Sequence, residues 1–347
     1  MSNATLRIME TKKIIQSEIN DGIICGAVLV SGDERGIRYA EAFGHAVPDK
    51  TVPMRLNTII DIASVTKVVA TATALCICRD RGLIDFDADF RAYLPAFSAN
   101  LAHPITVRDL ATHVSGFGHE PEKPRQYFDE DGRKIAAKLL ATPPLYPPRK
   151  QYEYTCWNYL LLGMIVEQIT NSSLNGFCHN EIFSPLSMRD SSLGIPATDD
   201  PQRLAKTLGA GRPGFISDFI ARRIFRAGLN SGNAGAFSTG LDLAVFMQMI
   251  LNHGKDIFSE SSFQEISTCQ EPGKYASDRT FGWVAKDSFK PPATSEHTIY
   301  HSGWSGQTIL ADLDRKRFAV VLTIRTGDYD RARRKRSTLI SNLLMED

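Results

Sequence analysis

The sequence predicts an α+β fold: one antiparallel sheet flanked by terminal helices, with a largely helical lobe inserted in its middle. Three observations carry this. Helical patterns open and close the chain, strand patterns lie just inside both ends, and the long middle reads as helices and proline-punctuated loops. The 347 residues exceed the ~250–300 at which single cores stop growing, so one domain built from two lobes is expected over 1–347. A sheet-and-helix lobe takes residues 8–84 and 230–347, and a mainly helical lobe takes 85–229.

The elements follow in order. Residues 8–20 are amphipathic, with Ile8, Ile14, Ile15 and Ile19 in helical spacing. Strand-like runs at 25–31 and 36–43 are joined by Gly32-Asp33-Glu34-Arg35, a hairpin turn. Residues 68–81 read as a helix that stops at Gly82, a C-cap. In the middle, 106–113 and 159–169 are the clearest helices, and 143–148 is a stiff loop with four prolines. A helix at 241–251 precedes four strand patterns, at 281–285, 298–301, 307–312 and 318–324. A last helix carries Leu339, Ile340, Leu343 and Leu344. No internal repeat or low-complexity linker is present.

Composition excludes several function classes. Hydrophobic residues make up 43% and charged residues 23%, as in ordinary globular proteins. The 40 basic and 39 acidic side chains nearly cancel, so no net field draws the chain to nucleic acid or anionic lipid. The basic run Arg331 to Arg336 reads as a solvated helix face. Six cysteines, at 25, 76, 78, 156, 178 and 269, form no C-x-x-C pair, so neither a zinc site nor a disulfide framework is expected. Scattered free thiols suit a reducing compartment. The first residues contain no apolar signal-peptide core, and no run approaches ~18–20 apolar residues. The expectation is a cytoplasmic protein as the chain stands, periplasmic or secreted if a leader was removed, with no membrane span. The sequence carries no signal for oligomeric state.

The most informative stretch runs from Asp61 through Ser64 to Lys67, just before the helix at 68–81. Residues three apart share a helix face, so the Ser64 hydroxyl and the Lys67 amine lie within mutual reach. A helix start adds positive potential and free N–H groups at the serine. A serine nucleophile needs a neighbouring base, and a desolvated lysine can serve. Alone, this S-x-x-K pattern is better read as an N-capping serine with a solvated lysine. Further landmarks follow: Thr112-His113-Val114-Ser115-Gly116, Tyr154-Thr155-Cys156 ahead of Leu161-Leu162-Gly163, the phrase from Asn233 to Thr239, and His301-Ser302-Gly303-Trp304.

With these in order, the chain resembles the serine β-lactamase and penicillin-binding protein superfamily over roughly residues 10–330, and most of all the branch holding class C β-lactamases, DD-peptidases and related esterases. The resemblance implies a β-lactamase/transpeptidase-like fold. It implies Ser64 as the acylated nucleophile, Lys67 as its proton partner and Tyr154 as a proton shuttle to the leaving group. His301, Ser302 and Gly303 would align the substrate, and the Ser64 and Trp304 N–H groups would form the oxyanion hole. The implied substrate is a small-molecule or peptide acyl compound, with no metal or organic cofactor. His113 and Ser115, two residues apart, are badly placed for mutual attack and read as structural. Trp157 and Trp304 either line the acyl pocket or pack.

Two departures shift the expected chemistry. Cys156 stands where the resembled family has an asparagine that donates to the substrate amide, and a thiol is a weaker donor. Asn158 is one candidate to take that role, through a shifted turn; Cys156 as a nucleophile is another open reading. His301 replaces a lysine and can be neutral at pH 7, which weakens recognition of a substrate carboxylate. The expected activity is therefore a serine hydrolase with an acyl-enzyme on Ser64, acting on an ester or on an amide or β-lactam, esters favoured. An acyltransferase or DD-peptidase-like enzyme is the alternative, and a non-catalytic ligand-binding relative is the alternative of another class.

Overall fold

The computed structural model describes residues 3–118 and 131–345. The chain opens with α1 (Asn3–Asn20), then β1 (Ile24–Asp33) and β2 (Ile37–Gly44). Asp33 makes the hairpin turn: its Oδ1 accepts from the N–H groups of Arg35 and Gly36, at 2.9 and 3.1 Å. The short β3 (Ile60–Asp61) leads into a helical rod that changes pitch. It starts as a 3₁₀ turn (Ala63–Val65), widens to a π-type segment (Lys67–Ala72) and continues as α2 (Thr73–Asp80). Gly82 ends it with φ +69°, as expected of a C-cap.

The middle contributes α3 (Val107–Ala111), α4 (Gly132–Ala141), α5 (Cys156–Thr170), α6 (Leu174–Cys178), β4 (Ser192–Leu193) and α7 (Phe219–Arg226). Thr106 starts α3 with a capping box to Asp109. Next come β5 (Ala236–Ser238), α8 (Gly240–Leu251) and α9 (Glu260–Ser267). The rest is β6 (Asp278–Arg279), β7 (Val284–Lys286), β8 (Thr298–Ser302), β9 (Gln307–Asp312), β10 (Arg317–Arg325) and α10 (Tyr329–Leu344).

Seven strands form one sheet in the order β2-β1-β10-β9-β8-β7-β6, all pairs antiparallel. The two ends of the chain therefore meet inside the sheet, where Val28 of β1 pairs with Leu322 of β10. Both faces are covered, which is why β1 is buried along its whole length and reads as a near-continuous apolar run. Ile15 of α1 and Leu339, Ile340 and Leu343 of α10 pack on one face, with Leu29, Leu310 and Tyr300. Leu243, Phe246 and Met247 of α8 pack on the other, with Val28, Val30, Ile309 and Val320. No helix among the described residues is long and apolar enough to cross a membrane.

Alternation along β8 positions the site. Tyr300 faces the terminal helices, while His301, paired with Ile309, faces the side where the Ser64 turn lies. Two expectations need correction. The strand pattern at 281–285 resolves into β7 alone at Val284–Lys286, with Phe281 and Trp283 packed into the core before it. The run Arg331 to Arg336 is not simply a solvated face. Arg331 pairs with Glu18 and Asp21, and Arg336 is 2% exposed. Arg331 is held by carboxylates of α1 and Arg336 is buried, which composition alone does not register.

Candidate active site

Ser64 stands on a tightly specified turn. Ala63, just before it, has φ +46°, a left-handed conformation that costs a non-glycine residue on the order of 1–2 kcal/mol. The buried Asp61 holds it there: Oδ1 accepts from the Ala63 N–H at 2.9 Å and Oδ2 from the Ser217 N–H at 2.6 Å. Burial pushes the Asp61 carboxyl above its ordinary range, and these hydrogen bonds oppose the rise. The end of β8 abuts the same turn. A Cβ on Gly303 would meet Gln307 Oε1 at 2.7 Å and the Ala63 Cβ and Ile62 oxygen at 3.0 Å, so only glycine allows this approach.

Lys67 is buried, and its Nζ donates to Ser64 Oγ at 3.2 Å and to the Asn233 carbonyl at 2.9 Å. A second close approach makes the latter contact reachable. A Cβ on Gly232 would meet the Tyr159 carbonyl at 2.2 Å, so glycine lets the Asn233 segment lie against α5. Nζ also sits 5.0 Å from the Tyr154 ring centroid and 5.5 Å from that of Tyr159. Burial acts to strip the ammonium of its proton, but the attraction of Tyr154 and Cys156 outweighs it, and the Lys67 pKa ends above its usual value.

Tyr154 immediately precedes α5, whose N-cap is Thr155. Its ring lies 4.5 Å from the His113 ring and 6.4 Å from that of His301, centroid to centroid. His113 Nδ1 faces the Thr155 N–H at 3.4 Å and Asn158 Nδ2 at 3.2 Å, so it accepts from both and the ring proton belongs on Nε2. Ser115 Oγ donates to Asn158 Oδ1 at 2.7 Å. The Thr112–Gly116 phrase thus builds the seat of Tyr154, as its structural reading anticipates. The suggestion that Asn158 replaces the missing asparagine is overturned: both ends of its amide are engaged in that seat.

Cys156 is half-buried beside Lys67, and burial pushes its thiol up while Lys67 pulls it down, the net effect being upward. A thiol held protonated is a poor nucleophile, which argues against the cysteine route. His301 is buried, with Nδ1 3.2 Å from the Ser302 carbonyl, so Nδ1 carries the proton and donates. Its Nε2 has no hydrogen-bond partner. Burial, then the charges of Arg279 and Lys67, hold its pKa well below the ordinary 6.5, and the imidazole is neutral at pH 7. Ser302 Oγ pairs with Thr308 Oγ1 at 2.9 Å. Trp304 is 39% exposed and packs beside Gly209, with its carbonyl taken by the Arg325 guanidinium. Trp157 packs partly buried against the main core.

A cavity of about 240 Å³ opens on Ser64, Tyr154, His301, Ser302, Gly303 and Trp304. A larger groove of about 1040 Å³, between α9 and the β6–β8 edge, contains none of these side chains. The small cavity also takes in Tyr152, Arg279 and Asp287, which sequence reasoning missed. Tyr152 had a faint signal, two residues before Tyr154; Arg279 had none. Among the described residues no three His, Cys, Asp or Glu side chains gather as a metal site needs.

A family model described as Beta-lactamase matches residues 11–342. The chain belongs to the Beta-lactamase family. This family includes serine acyl-transferring hydrolases. The present member is 27% identical to an N-acetylmuramyl-L-alanine amidase of Bacillus subtilis (strain 168), over 89% of this chain and 79% of that one. It is 25% identical to a putative D-alanyl-D-alanine carboxypeptidase of Escherichia coli (strain K12), over 88% and 79%. Among solved structures it resembles EstCE1, a hydrolase with promiscuous acyltransferase activity, with TM-score 0.79, 19% identity, and coverage of 97% and 99%. That likeness establishes the β-lactamase/transpeptidase fold.

Proposed function

We propose that the protein is a serine hydrolase that forms an acyl-enzyme on Ser64 and favours esters over amides and β-lactams. The observation that carries this is the buried Lys67 ammonium donating to Ser64 Oγ at 3.2 Å while lying against the Tyr154 ring. On this reading the cleft lies between the sheet lobe (8–84 and 230–347) and the helical lobe (85–229). Because Lys67 is held protonated, it acts as the fixed positive charge of the pair, and the Tyr154 oxygen is the base. Ser64 Oγ attacks the acyl carbon as its proton passes to Tyr154, with Lys67 steadying the oxygen. The carbonyl oxygen, now negative, is stabilised by the Ser64 and Trp304 N–H groups. Tyr154 then returns the proton to the departing oxygen or nitrogen, and water resolves the acyl-enzyme by the reverse sequence.

The ester preference rests on Cys156 and His301. An amide substrate gains from a strong donor to its carbonyl, and a protonated thiol supplies only a weak one. Neutral His301 offers no cation to a β-lactam carboxylate. The test is labelling with a neutral fluorophosphonate followed by peptide mass spectrometry, together with hydrolysis of p-nitrophenyl butyrate and nitrocefin. The adduct is expected on Ser64, with the ester turned over faster. Ester turnover is expected to vanish in Ser64→Ala and persist in Cys156→Ala. An unlabelled Ser64 in the folded wild type would sink the catalytic reading; faster nitrocefin turnover would sink the ester preference.

A further inference from the structure

We infer that Trp304 and Tyr329 form an aromatic platform that selects substrates whose leaving group carries a flat aromatic ring, an inference that rests on the acyl-hydrolase reading of the Ser64 site. Six aromatic side chains line the cavity at Ser64, against one aliphatic, Val284. Four of the six are committed. Tyr154 is the proposed proton shuttle, and the Tyr152 hydroxyl accepts from Arg279 Nη2. The buried Tyr300 donates to Asp287 Oδ1 at 2.6 Å, and the Phe289 ring tilts against it at 5.6 Å between centroids. The other two, Trp304 and Tyr329, are 39% and 45% exposed. A large ring left partly in water beside a cavity is apolar area still to be buried, and a ligand entering the cavity buries it.

The platform is ordered before any ligand arrives. A Cβ on Gly209, where φ is +85°, would meet indole Cζ2 at 2.9 Å and Cη2 at 3.0 Å, so the Trp304 ring rests directly on that backbone. Arg325 holds the main chain of the same residue. Its Nε and Nη2 donate to the Trp304 carbonyl at 3.1 and 3.0 Å, and its Nη1 donates to the Gly327 carbonyl at 3.0 Å. The guanidinium carbon lies 5.7 Å from the Trp304 ring centroid and 5.2 Å from that of Tyr329, so one fixed cation ties the two rings together. A side chain already immobilised loses little freedom on binding, which leaves its stacking energy to the ligand. The cavity also says which part of the substrate meets the rings. Tyr154, the proposed proton donor to the leaving group, lines it, whereas Cys156 and Trp157 do not. The leaving portion therefore lies against the platform. A flat π face stacks on indole and phenol in a way that a puckered aliphatic ring of similar size does not.

Benzyl acetate and cyclohexylmethyl acetate share an acyl group, are both neutral, and differ in whether the ring of the leaving alcohol is flat or puckered. In Ser64→Ala, ligand-observed NMR titration should show benzyl acetate binding about three- to tenfold more tightly. Adding Trp304→Leu should erase that difference, adding Trp304→Phe should keep part of it, and adding Tyr329→Leu should reduce it. In the wild type, the ratio of kcat/KM for the two esters should favour benzyl acetate. The ratio should fall in Tyr329→Leu while cyclohexylmethyl acetate is turned over as before. Equal binding of the two ligands by Ser64→Ala overturns the inference, whether or not the tryptophan variants fold. A preference left intact by Tyr329→Leu also overturns it. If the wild type hydrolyses neither ester while the binding difference stands, the hydrolase reading falls and the aromatic platform holds.

Discussion

Lys67, buried behind Ser64, and His301, in the wall of the cavity, are two buried nitrogen bases, one from the helical rod and one from the sheet. Burial penalises the charged form of each, yet they end in opposite states. Lys67 is held above its ordinary pKa because the Tyr154 oxygen, first among its neighbours, lies beside it. His301 is held well below its own because the charges that reach it, Arg279 and Lys67, are both cations. The difference shows that desolvation sets the cost of a charge, while the sign of the neighbours decides whether the group keeps it. The helix side of the site is a fixed cation, and the strand side is a neutral acceptor.

The largest expected effect comes from removing the helix-side cation. Lys67→Met should lower kcat/KM for p-nitrophenyl butyrate by about 10³-fold or more, the scale of losing an activated nucleophile's partner. It should slow fluorophosphonate labelling of Ser64 in parallel. Retained labelling at the wild-type rate would remove Lys67 from the machinery. A smaller effect should come from prising the two sides apart. Gly303→Ala places a methyl group against Gln307, Ala63 and Ile62, and overpacking of this kind costs about 1–3 kcal/mol. Urea unfolding should report that loss, and turnover should fall by more than the folded fraction accounts for. An unchanged urea midpoint would mean that the strand end and the Ser64 turn are not rigidly apposed.

The smallest effect is on pH dependence. The His301 pKa is lower in the folded state than in the unfolded chain, so the unfolded state binds the extra proton first. The His301 contribution is complete above about pH 6.5 and is lost as the pH falls toward the folded value. His301→Gln should therefore lose less stability than wild type between pH 7.5 and 5.5, read from urea midpoints. Parallel losses in the two proteins would show that the imidazole is not held neutral.

Much of this arrangement was legible from residue order. The spacing of Ser64 and Lys67 needs only a helix to bring them together, and the run 68–81 declares one. Tyr154 stands directly ahead of an apolar helical segment, so its place at a helix start was readable too. The strand pattern at 307–312 coincides with β9 because a buried strand's apolar run is local. Other features depend on non-local approach. The Asn233 carbonyl reaches Lys67 across 166 positions of sequence separation. Asn158 looked free to serve the substrate until His113 and Ser115, more than forty residues earlier, were found to hold it.

By itself, the sequence determined the secondary elements that place Ser64, Lys67 and Tyr154, and the chemistry of the side chains, Cys156 and His301, that depart from the resembled family and turn expectation toward esters. These are matters of periodicity and of side-chain chemistry, which act over a few residues. Only the tertiary structure decided the charge states. Whether Lys67 keeps its proton and His301 sheds one depends on neighbours from β6, β8, α5 and the Ser64 turn. Electrostatic energy follows distance and burial, and neither is written in the order of residues along the chain.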